Sequence, residues 1–130
     1  MRFLQYLTVA VLMVFAGSNV QAEQLKGPKL RSAVTGKTIY LSVATGVELP
    51  IKYRSGGFMS GRLKGLASII PTSMPKKDKG RWWIAKNSLC QTWNKWLKSK
   101  SYCYKLSQVK GQVFWKRNDG ASGTARIVSH

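Results

Sequence analysis

The chain has 130 residues, with 22 Lys or Arg against 4 Asp or Glu, 1 His, 2 Cys and a formal net charge of +18. That length suits one domain rather than two. Four carboxylates (Glu23, Glu48, Asp78 and Asp119) cannot build an acidic metal cage, and a single His, His130, makes a His-based triad or zinc site a poor reading.

Met1-Arg2 open the sequence, and an apolar run follows from Phe3 to Ala16, diluted only by Gln5, Tyr6 and Thr8. Gly17-Ser18-Asn19 break the run before Val20-Gln21-Ala22. Charge, apolar stretch and compact residues three and one before a cut are the order of a secretory signal. The sequence therefore predicts removal of residues 1–22. The competing reading is a membrane anchor, which needs roughly 20 apolar residues to cross a bilayer, and this run is shorter. The expected address is periplasmic or secreted. Removal of the segment takes away only Arg2 among the charged residues, so the mature chain stays strongly basic.

A chain of this size buries only about two-thirds of its unfolded surface, so a covalent staple helps. Cys90 and Cys103 both fall in the exported part, where disulfides persist. A bridge between them is expected, closing a loop that the chain-entropy model values at about 3 kcal/mol.

In chain order, residues 23–31 (EQLKGPKLR) carry a Gly-Pro and no periodicity, and are expected to form a flexible arm ahead of a single β domain at 32–130. Thr38 to Val43 is rich in β-branched and aromatic residues and reads as a strand. Thr45-Gly46 is a turn. Val47, Leu49, Ile51 and Tyr53 then alternate with Glu48, Pro50 and Lys52. Ser55-Gly56-Gly57 marks another turn, and Phe58 to Leu63 another strand. Residues 71–80 (PTSMPKKDKG) read as the longest loop of the domain. Strands resume at Arg81 to Ala85, Tyr102 to Leu106, Gln112 to Trp115 and Thr124 to Val128, with Asn118-Asp119-Gly120 as a turn. Short connections imply antiparallel pairing. The expected fold is all-β: a small antiparallel meander of about seven or eight strands, closed as a barrel or packed as a sandwich.

One stretch supports two readings. Leu89, Trp93, Trp96 and Leu97 share one face of a helix, so a short helix near 89–97 competes with a wide loop. A tight hairpin at Lys98-Ser99-Lys100 would leave Cys90 several residues from the position opposite Cys103. A disulfide needs Cα atoms within about 7 Å, so the connection must be wide or bulged.

Gly36-Lys37-Thr38, Tyr53-x3-Gly57-x3-Gly61, Gly80-x-Trp82, Leu89-Cys90-x2-Trp93, Cys103-Tyr104 and Asp119-Gly120 occur in that order. Over about residues 30–128 this resembles a family of small secreted bacterial all-β domains of unknown function that carry G-x-W, C-x-x-W and C-Y motifs. The resemblance implies an exported β domain with Cys90 joined to Cys103. It brings no catalytic residue. The high Lys content is not part of the family pattern.

No residues are assigned to catalysis. Nucleophilic catalysis needs a base beside Ser or Cys, and glycoside cleavage needs two carboxyl groups at a set distance. The chain offers neither pattern, and no phosphate-binding loop, metal site or cofactor motif. The basic residues are the main chemical signal. Lys76, Lys77, Lys79 and Arg81 stand beside Trp82 and Trp83; Lys95, Lys98 and Lys100 surround Trp96; Lys116 and Arg117 follow Trp115. Cations interleaved with rings suit polyanions. Lys predominates over Arg and acts as a point charge, which favours non-specific attraction over base-edge reading. Trp82, Trp83 and Trp96 are the candidate aromatic contacts, against the plain alternative that Trp side chains fill the core.

The expected function is an exported, non-enzymatic binding module for an anionic partner. Lipopolysaccharide, phospholipid or an anionic glycan of the envelope ranks first, and nucleic acid ranks lower because export separates the protein from the cell's own genome. The alternatives are a protein-binding or inhibitor-like domain with incidental charge, and an enzyme with an unusual Lys, Tyr or Ser site.

Overall fold

The computed structural model describes residues 21–63 and 73–129, so residues 1–20 of the expected signal segment and residues 71–72 of the expected 71–80 loop lie outside the described residues. The elements are β1 (Glu23–Gln24), α1 (Gly27–Val34), β2 (Lys37–Ala44), β3 (Val47–Arg54), β4 (Phe58–Arg62), β5 (Lys77–Ala85), β6 (Ser88–Trp93), β7 (Ser101–Val109), β8 (Gln112–Arg117) and β9 (Ser122–Ser129). A tight turn at Trp96–Ser99, with Leu97 and Lys98 in left-handed backbone geometry, precedes β7.

Strands β2 to β9 pair antiparallel with their sequence neighbours, and the β2–β9 pairing closes the ring. The result is an eight-stranded up-and-down barrel rather than a sandwich. Closure removes the exposed sheet edges that a small all-β protein must otherwise protect. The connections are short because the turn residues permit it. Gly46, Gly56 and Gly57 have φ of 72°, 90° and 85°, values that only Gly adopts without strain. Lys86-Asn87 turns β5 into β6 with φ of 49° and 61°, the pair of positive values that matches the twist of a two-residue hairpin.

Alternation along each strand sends one set of side chains inward. The interior is filled by Ile39, Leu49, Ile51, Tyr53, Met59, Trp82, Leu89, Trp93, Leu106, Val113 and Ala125, all buried. A barrel of eight strands is narrow enough for side chains to fill, and here large rings are accommodated by glycine. A Cβ on Gly61 would meet Trp93 and Trp96, and one on Gly123 would meet Trp115.

Residues 23–31, expected as a flexible arm, instead pair and pack. β1 lies beside β7 at Glu23↔Gln108 and Gln24↔Ser107, along the stretch of β7 that follows its pairing with β6. In α1, Leu30 and Val34 are fully buried. Gly27 N–H donates to Asn87 Oδ1 at 2.9 Å, and Gly36 N–H to the Tyr53 carbonyl at 2.8 Å. These bonds seat the helix against the barrel end where β3 and β5 finish. The sequence reading missed α1 because its apolar stripe is only two residues long. Of the two readings for 89–97 the helix is not formed: Ser88–Trp93 is strand β6, and a tight left-handed turn at Trp96–Ser99 follows. Leu89 and Trp93 face inward by strand alternation, which overlaps helical spacing at i, i+4.

The wide connection holds as expected. Cys90 faces Cys103 directly in the β6–β7 register, and the two are bonded with Cα atoms 4.0 Å apart. No helix among the described residues is long and apolar enough to cross a membrane.

Candidate anion-binding face

The outer surface of β3, β4 and β5 carries cations in cross-strand rows. Arg54 faces Phe58, which faces Arg81; Lys52 faces Ser60, which faces Lys79; Arg62 faces Lys77. Strand alternation puts these residues outward while Tyr53, Met59, Gly80 and Trp82 point in. Lys52, Arg54, Arg62, Lys77, Lys79 and Lys95 line a shallow open depression of about 870 Å3 on this face.

Three of the four Asp and Glu side chains pair with cations elsewhere. Glu23 lies 3.4 Å from Lys29, Glu48 2.7 Å from Arg126, and Asp119 2.8 Å from Arg117. Asp78 borders the depression but is buried and turned to the backbone. Its Oδ1 accepts from Lys79 N–H at 2.9 Å, and its Oδ2 from Lys95 N–H at 2.8 Å and Trp96 N–H at 2.9 Å. Among the described residues, no carboxylate forms an ion pair with a cation of the depression. Like charges held this close raise the local potential and concentrate counter-ions.

Exposed rings adjoin the cations. Phe58 is 52% exposed and Trp83 40% exposed. The Arg81 guanidinium lies over the Phe58 ring, 5.0 Å from its centroid, a cation–π arrangement. Trp83 lies two residues further along β5, facing Cys90 in register.

The structure sorts the residues singled out from the sequence. Lys77, Lys79, Arg81 and Lys95 come together on this face, with Trp83 beside them. Lys77 and Lys79 belong to strand β5, not to the loop expected at 71–80, and Lys76 immediately precedes that strand. Lys98 and Lys100 sit in the β6–β7 connection, exposed and away from the depression. Lys116 and Arg117 lie on β8, four strands round the ring from β4. Arg117 is committed there: it pairs with Asp119 and lies 4.3 Å from the Tyr102 ring. That pairing holds the Asp119 carboxyl below its ordinary range.

Two expected aromatic contacts are structural instead. Trp82 is 5% exposed, and its Nε1 donates to the Arg54 and Phe58 carbonyls at 2.9 and 3.0 Å. Trp96 is 4% exposed, tilts against Trp93 with centroids 4.6 Å apart, and donates from Nε1 to the Pro75 carbonyl at 2.9 Å. Large rings at these points close the barrel interior, which outweighs any surface role.

Lys52, Arg54, Phe58 and Arg62 were missed. Their signal was present: Lys52 falls on the outward side of the 47–53 alternation, and Phe58, Ser60 and Arg62 share one parity. None of them stands beside a Trp in sequence; they lie beside the cations of β5 only in the folded sheet.

No protein-family model, curated protein or solved structure matches the chain.

Proposed function

We propose that the protein is an exported, non-enzymatic binding module that holds an anionic partner on the outer face of β3, β4 and β5. The observation that carries this reading is the depression ringed by Lys52, Arg54, Arg62, Lys77, Lys79 and Lys95, with no carboxylate among the described residues paired to them. The Cys90–Cys103 disulfide is consistent with an oxidising compartment. The engagement of all four acidic side chains in ion pairs or backbone hydrogen bonds favours binding over acid–base catalysis.

The test is binding of the oxidised protein to anionic and neutral vesicles, lipopolysaccharide and soluble polyanions across a salt series. Two variants of equal charge are compared: Lys52→Gln/Lys77→Gln/Lys79→Gln on the proposed face, and Lys105→Gln/Lys110→Gln/Lys116→Gln around β7 and β8. Binding to an anionic partner should fall steeply with salt and should be lost in the first variant only. Absence of binding at low salt, or equal loss in both variants, sinks the reading.

A further inference from the structure

The geometry of the face points to a narrower partner, and we infer that it takes single-stranded nucleic acid; this rests on the anion-binding reading above. Alternate residues of a strand are about 6.8 Å apart. Lys77, Lys79 and Arg81 therefore form a line of positive charge at that interval on β5, and Lys52 and Arg54 form a second on β3. The interval is close to the phosphate repeat of an unstacked nucleic-acid strand. The two lines flank β4, and neighbouring strands lie about 4.8 Å apart. The track is therefore wide enough for one backbone and too narrow to cradle a duplex.

The rings supply the second half of the recognition. Phe58 and Trp83 stand at the end of the track occupied by Arg54 and Arg81, exposed at 52% and 40%. Phe58 faces Arg81, so Trp83 is its diagonal neighbour across β4 and β5. Diagonal neighbours on one sheet face are within reach of large side chains. Bases turned out from a single strand can stack on these rings and on the Arg81 guanidinium plane; bases within a duplex cannot. An anionic vesicle supplies phosphates to the same cations but no flat base for Phe58 and Trp83 to stack on. The predominance of Lys on the track makes the reading tolerant of base sequence.

The experiment measures binding of the oxidised protein, at matched ionic strength, to a fluorescent oligothymidylate, the same length of duplex DNA, a sulfated polysaccharide and phosphatidylglycerol vesicles. The expected result is tightest binding to the single strand, with Trp fluorescence quenched, since Trp83 is the exposed indole among Trp82, Trp83, Trp93 and Trp96. Phe58→Ala and Trp83→Ala should each weaken that binding about five- to hundredfold, the range for loss of one stacked base. Lys52→Gln and Lys79→Gln should each reduce the slope of log affinity against log salt by about 0.7. Thermal melts of each variant separate loss of binding from loss of fold. Equal binding of single strand and duplex, or no effect of either ring variant, overturns the inference. Preference for the polysaccharide or the vesicles also overturns it but leaves the anion-binding face standing. Failure to bind any of the four at low salt removes both.

Discussion

The hydroxyl of Tyr53 donates to Oε1 of Gln91 at 2.7 Å inside the barrel, linking β3 to β6 across the interior rather than along the sheet. Both residues are buried, at 3% and 5% exposure. Tyr53→Phe keeps the edge-on contact with Trp82 at 5.9 Å but leaves the Gln91 amide without its donor. An unsatisfied buried acceptor costs about 1–3 kcal/mol. Denaturant titration should show that loss, with the anion-binding face unaffected. A neutral result would mean that Gln91 finds another partner.

The same residue sets an alkaline limit. Burial pushes the Tyr53 phenol far above its ordinary value, while in the unfolded chain it ionises at about 10. Between those limits the unfolded state holds fewer protons than the folded state, so stability falls as pH rises. The informative quantity is the difference from Tyr53→Phe, which isolates this one phenol. That difference should be constant below pH ~10 and should shrink or reverse above it. A difference independent of pH would contradict the assignment.

Gly80 faces Trp93 across β5 and β6, and a Cβ there would overlap the Thr92 carbonyl oxygen and crowd Met59. Gly80→Ala must move the Thr92 backbone, pushing β5 away from β6, and displace the end of Met59 as well. Overpacking of this kind costs about 1–3 kcal/mol. The expected readout is a lower denaturation midpoint with an unchanged m-value. This gives the Gly80-x-Trp82 pair a physical meaning: the glycine lets the strands close, and two residues on the indole fills the space inside.

That pair shows what the linear sequence can carry. Alternation in 47–53 and the turn glycines were enough to place a meander, because period-two patterning and positive-φ residues act locally. Closure into a barrel depends on β2 meeting β9, at Ile39↔Ile127 and its neighbours, and no local signal reports a contact 88 residues apart. The candidate site follows the same division. Lys77, Lys79 and Arg81 are legible as a cluster because they stand beside Trp82 and Trp83 in sequence, although their place on strand β5 rather than in a loop is not. Lys52, Arg54 and Arg62 join them only through register, and Trp82 and Trp83 could be assigned to opposite faces but not to which one.

Cross-strand placement of Cys90 and Cys103 yields another expectation. The bond closes the β6–β7 connection, which carries no other covalent tie, with a sequence separation of 13. Replacement of both by Ala should cost about 3 kcal/mol on the chain-entropy account. The barrel should still form, because the Asn118 side chain and backbone bond the Cys103 backbone independently, at 3.3 and 2.9 Å. Loss of all cooperative unfolding in the double variant would show that the bond is required for the fold rather than added to it.

The β6–β7 connection holds one more testable feature. Leu97, Lys98 and Ser99 have φ of 53°, 55° and 58°, a left-handed run that costs non-glycine residues about 1–2 kcal/mol each. The run is held at its ends: Trp96 N–H donates to Asp78, Ser99 Oγ to the Asn94 carbonyl at 2.6 Å, and Lys100 N–H to the Leu97 carbonyl at 3.1 Å. Lys98 contributes an exposed side chain and none of these bonds. Lys98→Gly therefore removes strain and leaves the anchors intact. Glycine loses more freedom on folding, by about 0.5–1 kcal/mol, so the net gain should be a few tenths to about 1 kcal/mol. Because Lys98 lies outside the depression, binding to a polyanion should fall only by its single screened charge. A destabilised variant would show that the Lys98 side chain packs favourably enough to offset its backbone. A large loss of binding would extend the anionic contact from the β3–β5 face to this end of the barrel.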